Sequence, residues 1–351
     1  MVIADLRTEL RTAPLPRPWG ADVPANHVIV CHVTLKDGRT GTGFSWTPQI
    51  GARAVRALLD HDLREALIGL PAHPELVWDR LWRHLREAGP GGITTIALAG
   101  IDLALWDLRC GDSGLADVLG RRREQVPVYG SGVNLHYSLE ELVAQARRWV
   151  AAGYRGVKIK VGRPDLAEDV ARVAAVREVI GPDRLLMIDA NQRWDLHRAR
   201  RAIAALREFG LHWIEEPLPA DDVAAHVELR RSIDVPIAVG ENVYTVYGFR
   251  DLLTSGACDV LQPNVVRVGG VTPFLRIVEL ARAFDVPVYP HLLSEVSGQL
   301  ALTLPLPVMA EDVEDASFGT LGLLEEPYPV SVSEGVLRVG EHAGLGLRWA
   351  R

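Results

Sequence analysis

Three carboxylates at equal intervals constrain this chain of 351 residues more than any other feature. Asp189 lies 26 residues before Glu215, and Glu215 lies 26 before Glu241. Each ends a short apolar run: Ile188-Asp189-Ala190-Asn191, Ile214-Glu215-Glu216-Pro217 and Val239-Gly240-Glu241-Asn242. Each run is followed by a polar, helix-like segment. An interval of that size holds one strand, one helix and two loops. If the strands are parallel neighbours, the three acids emerge at the same end of the sheet. Gathered carboxylates are costly unless a cation neutralises them, and oxygen-only donors favour Mg²⁺ over Zn²⁺.

The same grammar extends over the middle of the chain. From Val126, strand candidates begin near Val126, Gly156, Leu185, His212, Pro236, Asp259, Pro287 and Pro307. Helical patterns separate them, over 139–152, 165–180, 196–209, 221–233, 246–255, 272–284 and 295–302. Several strands are continuous apolar runs, as expected when both faces are buried. Such alternation predicts a (β/α)₈ TIM-type barrel over 126–327, whose site lies at the C-terminal strand ends.

Residues 1–125 read differently, as an α+β capping domain. A strand over 2–10, a Pro/Gly-rich loop over 12–26 around Trp19, and a hairpin about Lys36-Asp37-Gly38-Arg39 precede helical patterns over 52–68, 74–87 and 94–109. Trp82 and Trp106 lie on helix stripes that read as core. The tail, 328–351, returns to β-like alternation and is expected to pack back on the cap.

Composition narrows the function. Hydrophobic residues make up 48% and charged residues 24%, an ordinary globular balance. A net charge of −7, with only Arg121-Arg122-Arg123 as a basic run, argues against nucleic acid as a partner. Three scattered cysteines (Cys31, Cys110, Cys258) and no apolar signal core in 1–11 suit a reducing cytoplasm. No apolar run of about 18 residues is present, so no membrane partner is expected.

The second barrel strand carries Lys158 and Lys160. Two residues apart, they share one face, which in a barrel is the interior. Mutual repulsion is expected to lower the pKa of at least one and provide a base near neutral pH. Glu216 is expected to point away from Glu215. Asn191 and Asn242 are candidate hydrogen-bonding neighbours. Later strands end in Gln262-Pro263-Asn264, Tyr289-Pro290-His291 and Glu311-Asp312, which places His291 across the mouth from Lys160. The His291/Glu295 spacing and the Gly269-Gly270 pair are weak signals for a metal pair and a phosphate loop. Together these groups suit proton abstraction beside a carboxylate, through an enediolate held by Mg²⁺.

With these motifs in place, the chain resembles the enolase superfamily, mandelate racemase subgroup. The resemblance rests on Lys158-Ile159-Lys160, Asp189-Ala190-Asn191, Glu215-Glu216-Pro217, Gly240-Glu241-Asn242, Gly269-Gly270-Val271-Thr272, His291 and Glu311. It implies Lys160 and His291 as acid/base groups on opposite faces of a small carboxylate, with Lys158 tuning Lys160 or binding the carboxylate. It implies Asp189, Glu215 and Glu241 as Mg²⁺ ligands and a protonated Glu311 as a hydrogen-bond donor. Asn191, Trp19 and Asn242 are expected to contact substrate, with cap loops around Trp19 and 47–51 closing over it. It also implies a homo-oligomer.

One position departs from the pattern. The family pairs its histidine with an aspartate, and here that position is Asn264. Asp259 is no substitute, lying roughly 16 Å back along the strand. Asn can orient an imidazole but cannot stabilise imidazolium, so His291 is expected to be a weak base that assists departure of a β-hydroxyl. The reading is an acid-sugar dehydratase. The alternatives are a racemase, epimerase or cycloisomerase and, more remotely, a silent carboxylate-binding barrel.

Overall fold

The protein was analysed as a computed structural model, which describes residues 1–20 and 23–350. Ala21 and Asp22, within the loop expected over 12–26, lie outside the described residues, as does Arg351. That loop is shorter than its Pro/Gly content suggests. Strand β1 (Ile3–Pro14) runs into it and β2 (Ala25–Leu35) leaves it; β3 (Thr40–Thr47) completes an antiparallel sheet in the order β1-β2-β3. The turn closes with Leu35 N–H donating to Arg39 O at 2.8 Å.

The long helix Ile93–Cys110 packs across this sheet. Glycine permits the approach: a Cβ at Gly43 would stand 2.4 Å from Ala104 N and Gly100 O. The helical pattern over 52–68 becomes Ala52–Leu58 and Arg64–Leu67, joined by a π-helical turn at Leu59–Leu63.

The barrel strands are β4 (Gln125–Ser131), β5 (Gly156–Lys160), β6 (Leu185–Asp189), β7 (Leu211–Glu215), β8 (Ile237–Val239) and β9 (Val260–Leu261), parallel neighbours in that order. At the seventh position, expected as a strand from Pro287, there is only a bridge between Val288 and Leu261. Strand β10 (Ala310–Val313) returns to β4, pairing with Val128–Ser131. The tail meets the barrel before it returns to the cap. Its hairpin, β11 (Val330–Ser333) and β12 (Val336–Val339), adds antiparallel to the first half of β4, at Gln125–Pro127. Only beyond it does the chain reach the cap, where Leu345 N–H donates to Asp107 at 2.8 Å and Trp349 packs against Phe44.

Period-2 alternation builds the barrel interior in layers. Tyr129, Met187, Trp213, Ala238, Val260 and Met309 form an apolar layer. Two residues further along, Met187 gives way to Asp189 and Trp213 to Glu215. The register aligns Lys160 with Asp189 and Asp189 with Glu215.

The Gly269-Gly270 pair serves docking of the cap. Trp78 Nε1 donates to Gly269 O at 3.0 Å, and a Cβ on Gly270 (φ 111°) would stand 2.2 Å from Asp102 Oδ2. Asp102, on the long cap helix, accepts from Thr272 N at 3.0 Å, in the first turn of barrel helix Val271–Ala283. Burial pushes Asp102 up to about 7 from 3.8, against the Thr272 hydrogen bonds. The folded state therefore holds a proton here that the unfolded chain releases. The associated stability is present below about pH 3.8 and lost as pH rises through about 7. Asp102→Asn keeps an acceptor for Thr272 and removes the buried charge. It is expected to raise the melting temperature above the wild-type value at pH 8 and to leave it nearly unchanged at pH 4, read by calorimetry across pH.

Candidate active site

Backbone strain gathers where the strands end. Asn191 (φ 42°), Gln192 (62°), Glu216 (37°), Leu292 (52°) and Leu293 (52°) are non-glycine residues in the left-handed region, and all follow barrel strand ends. Such conformations persist where surrounding contacts fix them, often at functional sites. Here Asn191 N–H donates to Asp189 Oδ1 at 2.8 Å, Gln192 N–H to Glu216 O at 2.8 Å, and Leu292 N–H to Glu311 Oε2 at 2.9 Å.

Within the barrel the charges are dense and buried. Lys158 Nζ donates to both Glu215 oxygens at 2.7 Å and lies 2.8 Å from Glu311 Oε1. Lys160 Nζ donates to Asp189 Oδ2, and its backbone N–H to Asn134 Oδ1 at 2.9 Å. Burial disfavours both ammonium groups, but the carboxylates outweigh it. Lys158 is held well above the ordinary lysine value by Glu215 and Glu311, and Lys160 is raised by Asp189. The expected lowering by mutual repulsion is thus reversed in this arrangement: each lysine has its own counter-ion. Glu311 is corrected as well. Against the expected protonated donor, it accepts from Leu292 N–H at 2.9 Å and faces Lys158 Nζ at 2.8 Å; burial pushes its carboxyl up, and the Lys158 charge draws it below the usual carboxylate range.

Glu216 does not point away from the site. It is fully buried, and Asn242 Nδ2 joins it to Glu241, donating to Glu216 Oε2 at 2.7 Å and Glu241 Oε1 at 3.0 Å. Burial and the nearby Glu241 and Asp189 push Glu216 well above the usual carboxylate range, and burial brings Glu215 to about 7. Glu216 Oε1 is a buried oxygen without a hydrogen bond. Asp189, Glu215, Glu216, Glu241 and Glu311 are five buried carboxylates facing two buried ammonium groups, Lys158 and Lys160. That surplus of negative oxygen fits a hard divalent cation. Ligand atoms of Glu215, Glu241 and His291 lie within 4.8 Å of one another. Asp189, expected in the metal set, accepts from Lys160 through Oδ2 in this structure.

His291 sits opposite the lysines. Its Nε2 is 2.7 Å from Glu241 Oε2 and 3.9 Å from Glu311 Oε2, and its Nδ1 is 3.1 Å from Asn264 Nδ2. Burial works against a charged ring, yet Glu241 and Glu311 raise its pKa overall.

Lys160, Asn191, Glu241, His291 and Glu311 line one cavity of about 210 Å³, roofed by Trp19, Val23, Trp46 and Pro48 of the cap. Lys158, Asp189, Glu215 and Asn264 lie beneath or behind its surface. So does Asn242, which corrects its expected contact with substrate: its amide is spent on Glu216, Glu241 and Arg267. Arg267 also lines the cavity, with Nη1 donating to Glu241 O at 3.0 Å. Sequence reading missed it, together with Trp46 and Asn134, because none lies in a strand-end motif. Three residues past Asn264, Arg267 was findable only from the turn geometry. The His291/Glu295 pair dissolves, since Glu295 is buried away from the site with Oε1 accepting from Phe318 N.

Comparison with known proteins agrees with this geometry. Residues 6–125 match the family described as mandelate racemase / muconate lactonizing enzyme, N-terminal domain, and residues 141–351 match enolase C-terminal domain-like. The chain is 35% identical over 354 residues to 3,6-anhydro-alpha-L-galactonate cycloisomerase of Streptomyces coelicolor, covering 99% of this chain and 96% of that protein. A racemase from Streptomyces coelicolor, solved with bound magnesium, superposes with a TM-score of 0.93 at 34% identity, covering 99% and 97% of the two chains. L-Talarate dehydratase from Polaromonas, complexed with Mg and L-glucarate, superposes with a TM-score of 0.89 at 34% identity, covering 99% and 95%.

Proposed function

The chain belongs to the mandelate racemase / muconate lactonizing enzyme family of the enolase superfamily, and on that premise we propose that it is a Mg²⁺-dependent acid-sugar dehydratase. The observation that carries the reading is one cavity walled by Lys160 and His291 from different strand ends, with a surplus of buried carboxylate beneath. Asp189, Glu215 and Glu241 would hold the ion: Asp189 and Glu215 are register partners on neighbouring strands, and Glu241 follows the next strand, β8. When bound, Mg²⁺ neutralises these carboxylates and stabilises the negative charge of an enediolate.

The chain's own groups do the rest. Lys160, freed of its Asp189 counter-ion, takes the α-proton. Lys158 keeps Glu215 and Glu311 in place and depresses Lys160 by charge repulsion. His291 faces the departing β-oxygen and donates to it. Loss of that oxygen as water leaves an enol, which ketonises to a 2-keto-3-deoxy acid. A second reading has support in the Streptomyces relative: if the β-oxygen belongs to a ring, the same cleavage opens the ring and the enzyme is a cycloisomerase.

The cavity favours substrates with one carboxylate. Among the described residues that line it, the cationic side chains are Lys160, Arg267 and His291, and Arg267 is tied through Nη1 to Glu241 O and Asn242 Oδ1. The cap wall of Trp19, Val23, Trp46 and Pro48 offers no charge to a second carboxylate. Sugar monoacids are therefore expected to exceed the corresponding diacids in kcat/KM by about tenfold or more, the consequence of about 1.4 kcal/mol of unpaired charge. The test is incubation with Mg²⁺ and paired panels of aldonic, anhydroaldonic and aldaric acids, followed by NMR. Keto-acid product from the monoacids supports the reading, and epimer without elimination would replace dehydration by racemisation. Binding without any reaction across the panels would leave a silent barrel.

A further inference from the structure

We propose that Asn264 is a positioning residue that fixes His291 as an Nε2–H hydrogen-bond donor, so that His291 transfers no proton and Lys160 carries both transfers. The role of Lys160 rests on the reading above; the tautomer does not.

The argument begins at the amide oxygen. Asn264 Oδ1 accepts from Val266 N at 3.0 Å and from Arg267 N at 3.1 Å. Both lone-pair directions are used, and the amide has one orientation: reversed, it would set its N–H groups against two backbone N–H groups. Nδ2 therefore faces the histidine, 3.1 Å from Nδ1 and 3.4 Å from the His291 carbonyl. An amide nitrogen donates and has no lone pair to accept with, so Nδ1 is the acceptor and carries no proton. With Nδ1 held as an acceptor the ring has one proton, on Nε2, although the carboxylates beside it favour a second.

Backbone contacts hold the ring against Asn264: His291 N–H donates to Pro263 O at 3.2 Å, and Leu292 N–H to Glu311 Oε2 at 2.9 Å. An aspartate at position 264 would reverse the arrangement, taking a proton on Nδ1 and leaving Nε2 free as a base.

The consequences are chemical. An Nε2 that carries a proton has no lone pair to accept one, so His291 is not a second base, and it offers a metal no donor. A neutral imidazole gives up its remaining proton only far above neutral pH, so His291 is not an acid either; it polarises the leaving oxygen. The proton balance then closes on Lys160, which must reach both Cα and the leaving oxygen. Lys160 Nζ takes the proton from Cα, and the C–H electron pair becomes the enediolate. As the Cβ–O bond breaks, that pair forms the C=C bond, and the leaving oxygen takes the proton from the Lys160 ammonium. No further reactant is needed.

The test uses full-length protein labelled with ¹⁵N-histidine, without substrate, in EDTA and in Mg²⁺; His291→Gln identifies the resonances. The expected spectrum shows a proton on Nε2 of His291 and none on Nδ1, and Asn264→Asp moves it to Nδ1. A wild-type spectrum with Nδ1 protonated and Nε2 bare overturns the proposal, whatever the variants do. In turnover, His291→Gln retains an N–H donor and is expected to keep kcat within about tenfold of wild type, against about 10²–10⁴-fold for loss of a proton-transfer group. A loss as large as that of Lys160→Ala overturns the single-base route. A bare Nε2 in an enzyme that makes keto acid removes this inference alone, whereas Nε2–H in a protein that transforms no sugar acid removes the proposed reaction alone.

Discussion

Replacing Lys160 by alanine is expected to reduce keto-acid formation by about 10³-fold or more, within the range for a lost general base, without unfolding the protein. The side chain lies at the cavity wall, and the backbone contact that anchors the strand end there is retained, because Asn134 Oδ1 accepts the main-chain N–H of residue 160. What disappears is the amine that reaches the α-carbon. Asp189 loses a counter-ion but keeps the hydrogen bonds from Asn191 N and Nδ2. Turnover measured by NMR, with circular dichroism as the check on folding, separates the two effects. Activity within tenfold of wild type would mean that another group takes the proton.

The largest effect on stability is expected from Lys158. Its ammonium is 1% exposed and sits between Glu215 at 2.7 Å and Glu311 at 2.8 Å, over the Tyr129 ring. Lys158→Met keeps most of the volume and leaves two buried carboxylates facing each other. Breaking a buried ion pair on one side costs about 3–5 kcal/mol, since the remaining charge stays desolvated. Urea unfolding in EDTA is expected to show that loss as a lower midpoint. Saturating Mg²⁺ should restore part of it, because a ligand of the folded state adds RT ln(1 + [L]/Kd) to stability. An unchanged midpoint in EDTA would mean that the cluster carries little of the fold's stability.

Much of this architecture is legible in the chain because the barrel repeats. A strand end recurs every two dozen or so residues, and period-2 alternation then decides which side chain enters the interior. That logic places Lys158, Lys160, Asp189 and Glu215 on the inner face before any coordinates are known. It fails where the backbone leaves regular geometry. Glu216 follows a strand residue and should face outward, but its φ of 37° turns it back among the other carboxylates, where Asn242 receives it. The seventh strand shrinks to one bridge, at Val288, and the chain then turns through left-handed Leu292 and Leu293. The charge states were misjudged for another reason. Repulsion between Lys158 and Lys160 is visible in sequence, whereas the carboxylates that outweigh it arrive from strands tens of residues away. Arg267 and the two tryptophans of the cavity roof depend on turns and cap docking, for which no periodicity gives a signal.

Asn264 shows the opposite case. Its departure from the family's pattern is plain in the sequence, but its consequence is not. Only the backbone N–H groups of Val266 and Arg267, which occupy its oxygen, decide that its amino group must face the imidazole.

The central claim is Mg²⁺-dependent removal of the proton beside a carboxylate. It is tested most directly with a panel of aldonic and anhydroaldonic acids deuterated at C2, followed by deuterium NMR with Mg²⁺ and with EDTA. Loss of deuterium from C2 in step with keto-acid formation, in Mg²⁺ only and absent with Lys160→Ala, is the predicted result. A product other than a 2-keto acid that still carries deuterium at C2, or deuterium loss that continues in EDTA, would contradict it.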